Sequence, residues 1–244
     1  MIKAMIFDLD GTLVQTEELK ALSYARAAKC LLPTVQEDAV LAEFVHVVGL
    51  SRQEVAQHLL EHFNLTDAAT KLMAEYGVAT PWEAYVQVRQ TIYEKILADP
   101  AILLKQRIPH NMALVDKARR ELGKVGLATM SYWPQAQKVL SIVGLQDKFD
   151  FIASREDVEQ GKPDPEIYLL VAHKLGVPPT ECLVIEDSAI GVQSALNAGM
   201  PCIAVSTYLT QAGLHSGNLL PPRWIVDDPA TLFQVVDQMI QGQQ

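Results

Sequence analysis

Short apolar runs that end in polar residues recur along the chain: Ala4-Met5-Ile6-Phe7, Val125-Gly126-Leu127-Ala128, Phe149 to Ala153, Cys182 to Ile185, Pro201 to Val205 and Trp224-Ile225-Val226. They read as strands buried on both faces. Most are separated by amphipathic segments long enough for helices, so the pattern predicts an α/β fold with a parallel sheet and right-handed crossovers. The rhythm breaks between Leu13 and about Leu104, where only helix-like stretches occur: Leu19 to Leu31, Ser51 to Phe63 and Trp82 to Leu97. The expected organisation is therefore a core of residues 1–15 and 96–244, with an all-helical insertion at 16–95 after the first strand.

Composition narrows the function classes. Of 244 residues, 49% are hydrophobic and 20% charged, a globular balance, and the formal charge of −9 argues against a partner bound through its phosphate backbone, so no nucleic acid is expected. Cys30, Cys182 and Cys202 are an odd count without CxxC spacing, which suggests neither a disulfide framework nor a zinc site and fits a reducing cytoplasm. No stretch approaches the roughly 20 apolar residues that span a bilayer, and the N-terminus has no basic leader, so a cytoplasmic protein with no membrane partner is expected, as a monomer or small homo-oligomer.

In open parallel sheets ligands collect beyond the carboxyl ends of the strands. The residues there are Asp8, Thr129 and the pair Glu186-Asp187. Three carboxylates in one crevice repel one another unless a positive charge lies between them, and a divalent cation is the simplest answer.

The stretch Asp8-Leu9-Asp10-Gly11-Thr12 resembles the DxDGT signature of the haloacid dehalogenase superfamily, and three further motifs follow in that family's order. Thr129 closes the second core strand in Leu127-Ala128-Thr129-Met130-Ser131. Lys162 stands in Gly161-Lys162-Pro163-Asp164-Pro165, ahead of a helix that Asp164 can cap and whose first turn suits Pro165. Glu186-Asp187 precedes a helix containing Gly191. The resemblance covers essentially the whole chain and implies a Rossmann-like core with a helical cap.

The same resemblance implies a phosphohydrolase working through an acyl phosphate, with Asp8 as nucleophile and Asp10 as the acid and base that serves both half-reactions. Asp8, Asp10 and Asp187 are expected to hold Mg2+, with Glu186 either a direct ligand or a group behind the ligands. Lys162 offsets the negative charge, Thr129 hydrogen-bonds the transferring phosphoryl group, and Ser131 is expected to bind substrate beside it. The substrate class is small phosphorylated metabolites.

The insertion resembles the cap of the sugar-phosphatase and β-phosphoglucomutase-like branch. In Gly49-Leu50-Ser51-Arg52, Ser51 and Glu54 read as a capping box that sets Arg52 in a first helical turn, where its charge opposes the helix dipole. An anion would relieve that conflict, and relatives use a cap arginine at this place to hold a second substrate anion. Thr16 is a further expected substrate contact, with Lys20 and Arg89 weaker candidates. The β-phosphoglucomutase-like proteins carry His where Lys20 stands, and many relatives carry Asp at Gln15. Those departures favour hydrolysis over a phosphomutase, the rival reading; a non-catalytic binding protein on the same fold is the third.

Two other patterns are set aside. His58-Leu59-Leu60-Glu61-His62 matches the HxxEH arrangement of some zinc peptidases, but no third ligand is evident, and an amphipathic helix with Val55, Leu59 and Phe63 inward accounts for it. Gly161-Lys162 lacks the earlier glycine of a nucleotide P-loop.

Overall fold

A computed structural model describes residues 1–242. The chain divides into two compact units, residues 1–15 with 103–244 and residues 16–102. The expected cap boundary at 95 falls inside a helix that continues to Leu97, and the helical unit extends to Ile102. The physical reason is local: once the turn Thr80–Glu83 has started that helix, apolar Ile96 and Leu97 remain buried in its last turn, so the helix has no cause to stop at 95. The expected core range ended at 244, and its last two residues lie outside the described residues.

The first unit is built on a six-stranded sheet: β1 Ala4–Phe7, β2 Val125–Ala128, β3 Phe151–Ala153, β4 Cys182–Glu186, β5 Cys202–Val205 and β6 Ile225–Val226. All neighbours are parallel, in the order β3-β2-β1-β4-β5-β6. This is the parallel α/β arrangement that the apolar runs predict and the Rossmann-like core that the family resemblance implies. β1, β2, β4 and β5 are buried along their whole length, which explains why they read as continuous apolar runs.

The order reverses at β1: the chain next builds outward through β2 and β3, then returns to the other side of β1 with β4. That reversal opens a crevice beyond the C-terminal ends of β1, β2 and β4, the place where such sheets bind ligands.

In the second unit come α1 Thr16–Leu31, α2 Glu37–Phe44, α3 Arg52–His62, α4 Thr66–Tyr76 and α5 Pro81–Leu97. The helices of the sheet unit follow: α6 Pro100–Lys105 (which begins at the join), α7 Pro109–Glu121, α8 Trp133–Val143, α9 Glu166–Leu175, α10 Ala189–Asn197, α11 Gln211–Ser216 and α12 Leu232–Gln241.

Local chemistry explains several ends. Ser51 and Glu54 form the expected capping box, with Glu54 N donating to Ser51 Oγ at 3.3 Å and Ser51 N donating to Glu54 Oε2 at 2.9 Å. Thr80 and Glu83 start α5 in the same way, with Pro81 at its first position.

Tyr24, Phe44, Leu59, Leu65 and Tyr85 fill the helical unit's core, and the Tyr85 hydroxyl donates to the Tyr24 carbonyl at 2.9 Å. Val55 and Leu59 face inward as expected, while Phe63 is half-buried. Among the described residues no helix is long and apolar enough to cross a membrane.

Candidate active site

Asp8 is the first residue after β1, and its N–H donates to the Ile185 carbonyl at 3.0 Å, so the β1–β4 pairing continues one residue past the strand and fixes the nucleophile candidate at the crevice. It is 6% exposed. Gly11 turns the chain away at φ +85°, and a Cβ there would lie 2.1 Å from Asp187 Oδ2. The turn therefore needs glycine for its backbone and for the close approach of the motif-four acid.

Lys162 reaches this floor from the loop before α9. Its Nζ donates to Asp8 Oδ1 at 2.8 Å, Glu186 Oε1 at 2.6 Å and the Ala128 carbonyl at 3.2 Å. The loop is tied down on both sides. Asp164 Oδ1 accepts from Glu166 N at 2.9 Å, although the N-cap of α9 is Pro165 and Asp164 stands one residue before the cap place expected of it, while Ser194 Oγ donates to the Asp164 carbonyl at 2.6 Å.

Glu186 is saturated. Besides Lys162, its Oε1 accepts from the Tyr168 hydroxyl at 2.8 Å, and its Oε2 accepts from Asp187 N, Ser188 N and Ser188 Oγ at 2.9, 3.1 and 3.2 Å. Its carboxylate lies against Gly191 of α10, where a Cβ would come within 1.9 Å.

The opposite wall is made by the end of β2. Thr129 Oγ1 and Ser131 Oγ both donate to Asp10 Oδ2, at 3.3 and 2.5 Å, and Ser131 N donates to Thr129 Oγ1 at 3.0 Å. Asn111 of α7 braces the DxDGT turn by donating to the Thr12 carbonyl at 2.6 Å.

The electrostatics follow from one cation among buried acids. Burial pushes the Asp8 carboxyl up to about 8; Lys162 pulls it down, and Glu186 and Asp10 push it further up. Glu186 is equally buried, yet Lys162 and its hydrogen-bond donors hold it below the ordinary carboxylate value. Burial lowers the Lys162 ammonium, but the Asp8 and Glu186 charges outweigh that and raise it above its ordinary value. Lys162 is shared between the two buried carboxylates, and burial outweighs its pull on Asp8.

Asp8, Glu186 and Asp187 each bring a carboxylate oxygen within 4.8 Å of the others. This all-oxygen donor set fits a hard divalent cation. Both Glu186 oxygens already accept hydrogen bonds from the protein. Thr12 Oγ1 lies 3.5 Å from Asp187 Oδ1 and steadies that side chain.

The structure thus gathers Asp8, Asp10, Thr129, Ser131, Lys162, Glu186 and Asp187 in one crevice of the sheet unit. Arg52 and Thr16 belong to the helical unit, Arg52 as the first residue of α3 and Thr16 as the buried first residue of α1. Tyr168, Ser188 and Asn111 escaped the sequence reading. Ser188 follows the acidic pair directly and caps α10, its Oγ accepting from Gly191 N at 3.1 Å, whereas Tyr168 looks like any tyrosine on the buried face of α9 until Glu186 is seen opposite it.

A model of the haloacid dehalogenase-like hydrolases matches residues 2–199. The chain belongs to that family. Its relatives include hexitol phosphatase B of Escherichia coli (strain K12), 30% identical over 208 residues that cover 84% of this chain and 83% of that protein. The β-phosphoglucomutase of Bacillus subtilis (strain 168) is 28% identical over 209 residues, covering 84% and 83%. Among solved structures, a β-phosphoglucomutase from Clostridium difficile matches this fold with a TM-score of 0.71 at 24% identity, covering 98% of this chain and 99% of that one.

Proposed function

We propose that this hydrolase is a Mg2+-dependent phosphatase of small phosphorylated metabolites, acting through phospho-Asp8. The observation that carries the reading is the buried group in which Lys162 binds Asp8 and Glu186 together while Thr129 and Ser131 hold Asp10 beside them. Asp8 attacks phosphorus and the bond to the leaving oxygen breaks; Asp10 donates a proton to that oxygen, then takes one from the water that hydrolyses the acyl phosphate. Thr129 and Ser131 orient Asp10 and are well placed to hydrogen-bond the phosphoryl oxygens. Asp8, Asp187 and the Asp10 carbonyl would hold Mg2+, which would supply charge neutralisation between two approaching anions. Glu186 then acts by holding Lys162.

The likeness to hexitol phosphatase B supports a sugar-phosphate-like substrate. In the helical unit, Arg52 and Thr16 are the proposed substrate contacts, Arg52 for a second anionic group. The likeness to β-phosphoglucomutase favours phosphomutase chemistry as the second reading; against it, Lys20 stands where those proteins carry histidine, and its ammonium pairs with Glu17 at 2.7 Å.

Phosphate release from a panel of phosphorylated metabolites, with Mg2+ or chelator and with chromatography of the organic products, separates the two. Free phosphate that needs Mg2+ and vanishes in Asp8→Asn supports the phosphatase. An isomeric phosphate ester without phosphate release replaces it with the mutase, and release undiminished in Asp8→Asn overturns both.

A further inference from the structure

Outside the crevice, the helical unit brings together a second set of metal-ligating side chains. His58 and His62 stand one turn apart on α3, with ring centroids 5.9 Å apart and planes inclined by 28°. Glu43, near the end of α2, reaches both: its Oε1 lies 2.6 Å from His58 Nε2 and 3.5 Å from His62 Nδ1. One ligand atom from each residue falls within 4.8 Å of the other two. The third ligand absent from the HxxEH pattern is thus supplied by the preceding helix, and the pattern's own acid, Glu61, is exposed and takes no part.

We propose that Glu43, His58 and His62 form a binding site for a transition-metal dication of the Zn2+ class, separate from the oxygen-lined crevice. The donor set decides the class. Two imidazole nitrogens and one carboxylate oxygen suit Zn2+, Co2+, Ni2+ or Cu2+, whereas Mg2+ takes oxygen ligands and keeps much of its water. Three protein ligands leave further coordination positions, and side-chain exposures of 40%, 48% and 17% for His58, His62 and Glu43 leave them open to water. The three ligand atoms already lie within 4.8 Å of one another, so binding displaces the proton that His58 and Glu43 share and draws the side chains together. The cation would clip α2 to α3, the helix whose first turn carries Arg52.

Equilibrium dialysis of Zn2+ against the full chain, with Mg2+ in large excess to occupy the crevice, tests the site. Wild type is expected to bind one Zn2+ per chain that Glu43→Gln, His58→Ala and His62→Ala each weaken at least about tenfold. The same Zn2+ must remain in Asp187→Asn, which separates this site from the crevice. Replacing Zn2+ with Co2+ gives a direct readout, a visible ligand-field band present in wild type and Asp187→Asn and absent in the three ligand variants. Zn2+ binding of equal strength in the ligand variants, or no bound Zn2+ in wild type, overturns the proposal. The histidines are partly exposed, so their removal leaves the core intact, and circular dichroism of each variant verifies this.

Discussion

At the scale of single residues, the crevice depends on how closely groups approach as much as on which groups are present. Gly191 lies in a helix, where alanine is intrinsically better than glycine by about 1 kcal/mol, so propensity alone makes Gly191→Ala stabilising. Against that, a Cβ at 191 would lie 1.9 Å from Glu186 Oε1, and the displaced carboxylate would release Lys162 and Tyr168. The expected outcome is a protein that folds with a kcat at least about tenfold lower, read by steady-state phosphate release. An unchanged kcat would mean that Glu186 does not position Lys162. The acids and the lysine were legible in the sequence because the chemistry constrains their type and order. Asn111 and Tyr168 were not, because a brace and a hydroxyl partner are defined by what lies across the sheet, and local sequence carries no mark of that.

Secondary-structure elements show the same division between local and distant causes. β1, β2, β4 and β5 were legible because strands buried on both faces give uninterrupted apolar runs, and the edge strands β3 and β6, only partly buried, kept short apolar runs of their own. α2 and α4 were not singled out: α2 is only eight residues long, and α4 buries only Ala69 although Ala69, Leu72, Met73 and Tyr76 recur at helical spacing along it. α3 was legible from both its periodicity and its cap. Ser51→Ala removes the side-chain acceptor for Glu54 N and is expected to cost about 1 kcal/mol. Because the cap is local, the loss should appear as faster hydrogen exchange in the first turn of α3, with the sheet amides unchanged. Equal acceleration throughout the chain would show that α3 does not open by itself.

For the whole molecule, the crevice trades stability for function, and pH exposes the exchange. The Asp8 carboxyl moves from an ordinary 3.8 to about 8, chiefly through burial. Between those values the folded protein retains a proton that the unfolded chain has released, so rising pH through this window destabilises the fold. Glu186 works in the opposite direction: held below its ordinary value of 4.5, it contributes stability that is present above that pH and lost on acidification. Lys162, raised above its ordinary 10.5, contributes stability that is full throughout the window and lost only at more alkaline pH. Asp8 is therefore the group of this trio whose contribution falls between about pH 5 and 8. Asp8→Asn removes that penalty while leaving Lys162 paired with Glu186. In chelator, the variant's Tm should exceed wild type by a margin that widens from pH 5 to 8 and reaches about 3 °C or more, since 1 kcal/mol moves Tm by about 2–4 °C at this size. Added Mg2+ should raise the wild-type Tm more than the variant's, because a cation that binds only the folded state stabilises in proportion to its affinity, and Asp8 supplies one of its ligands. Parallel Tm–pH curves for the two proteins in chelator would show that Asp8 is ionised at its ordinary pH, and that Lys162 alone balances both carboxylates.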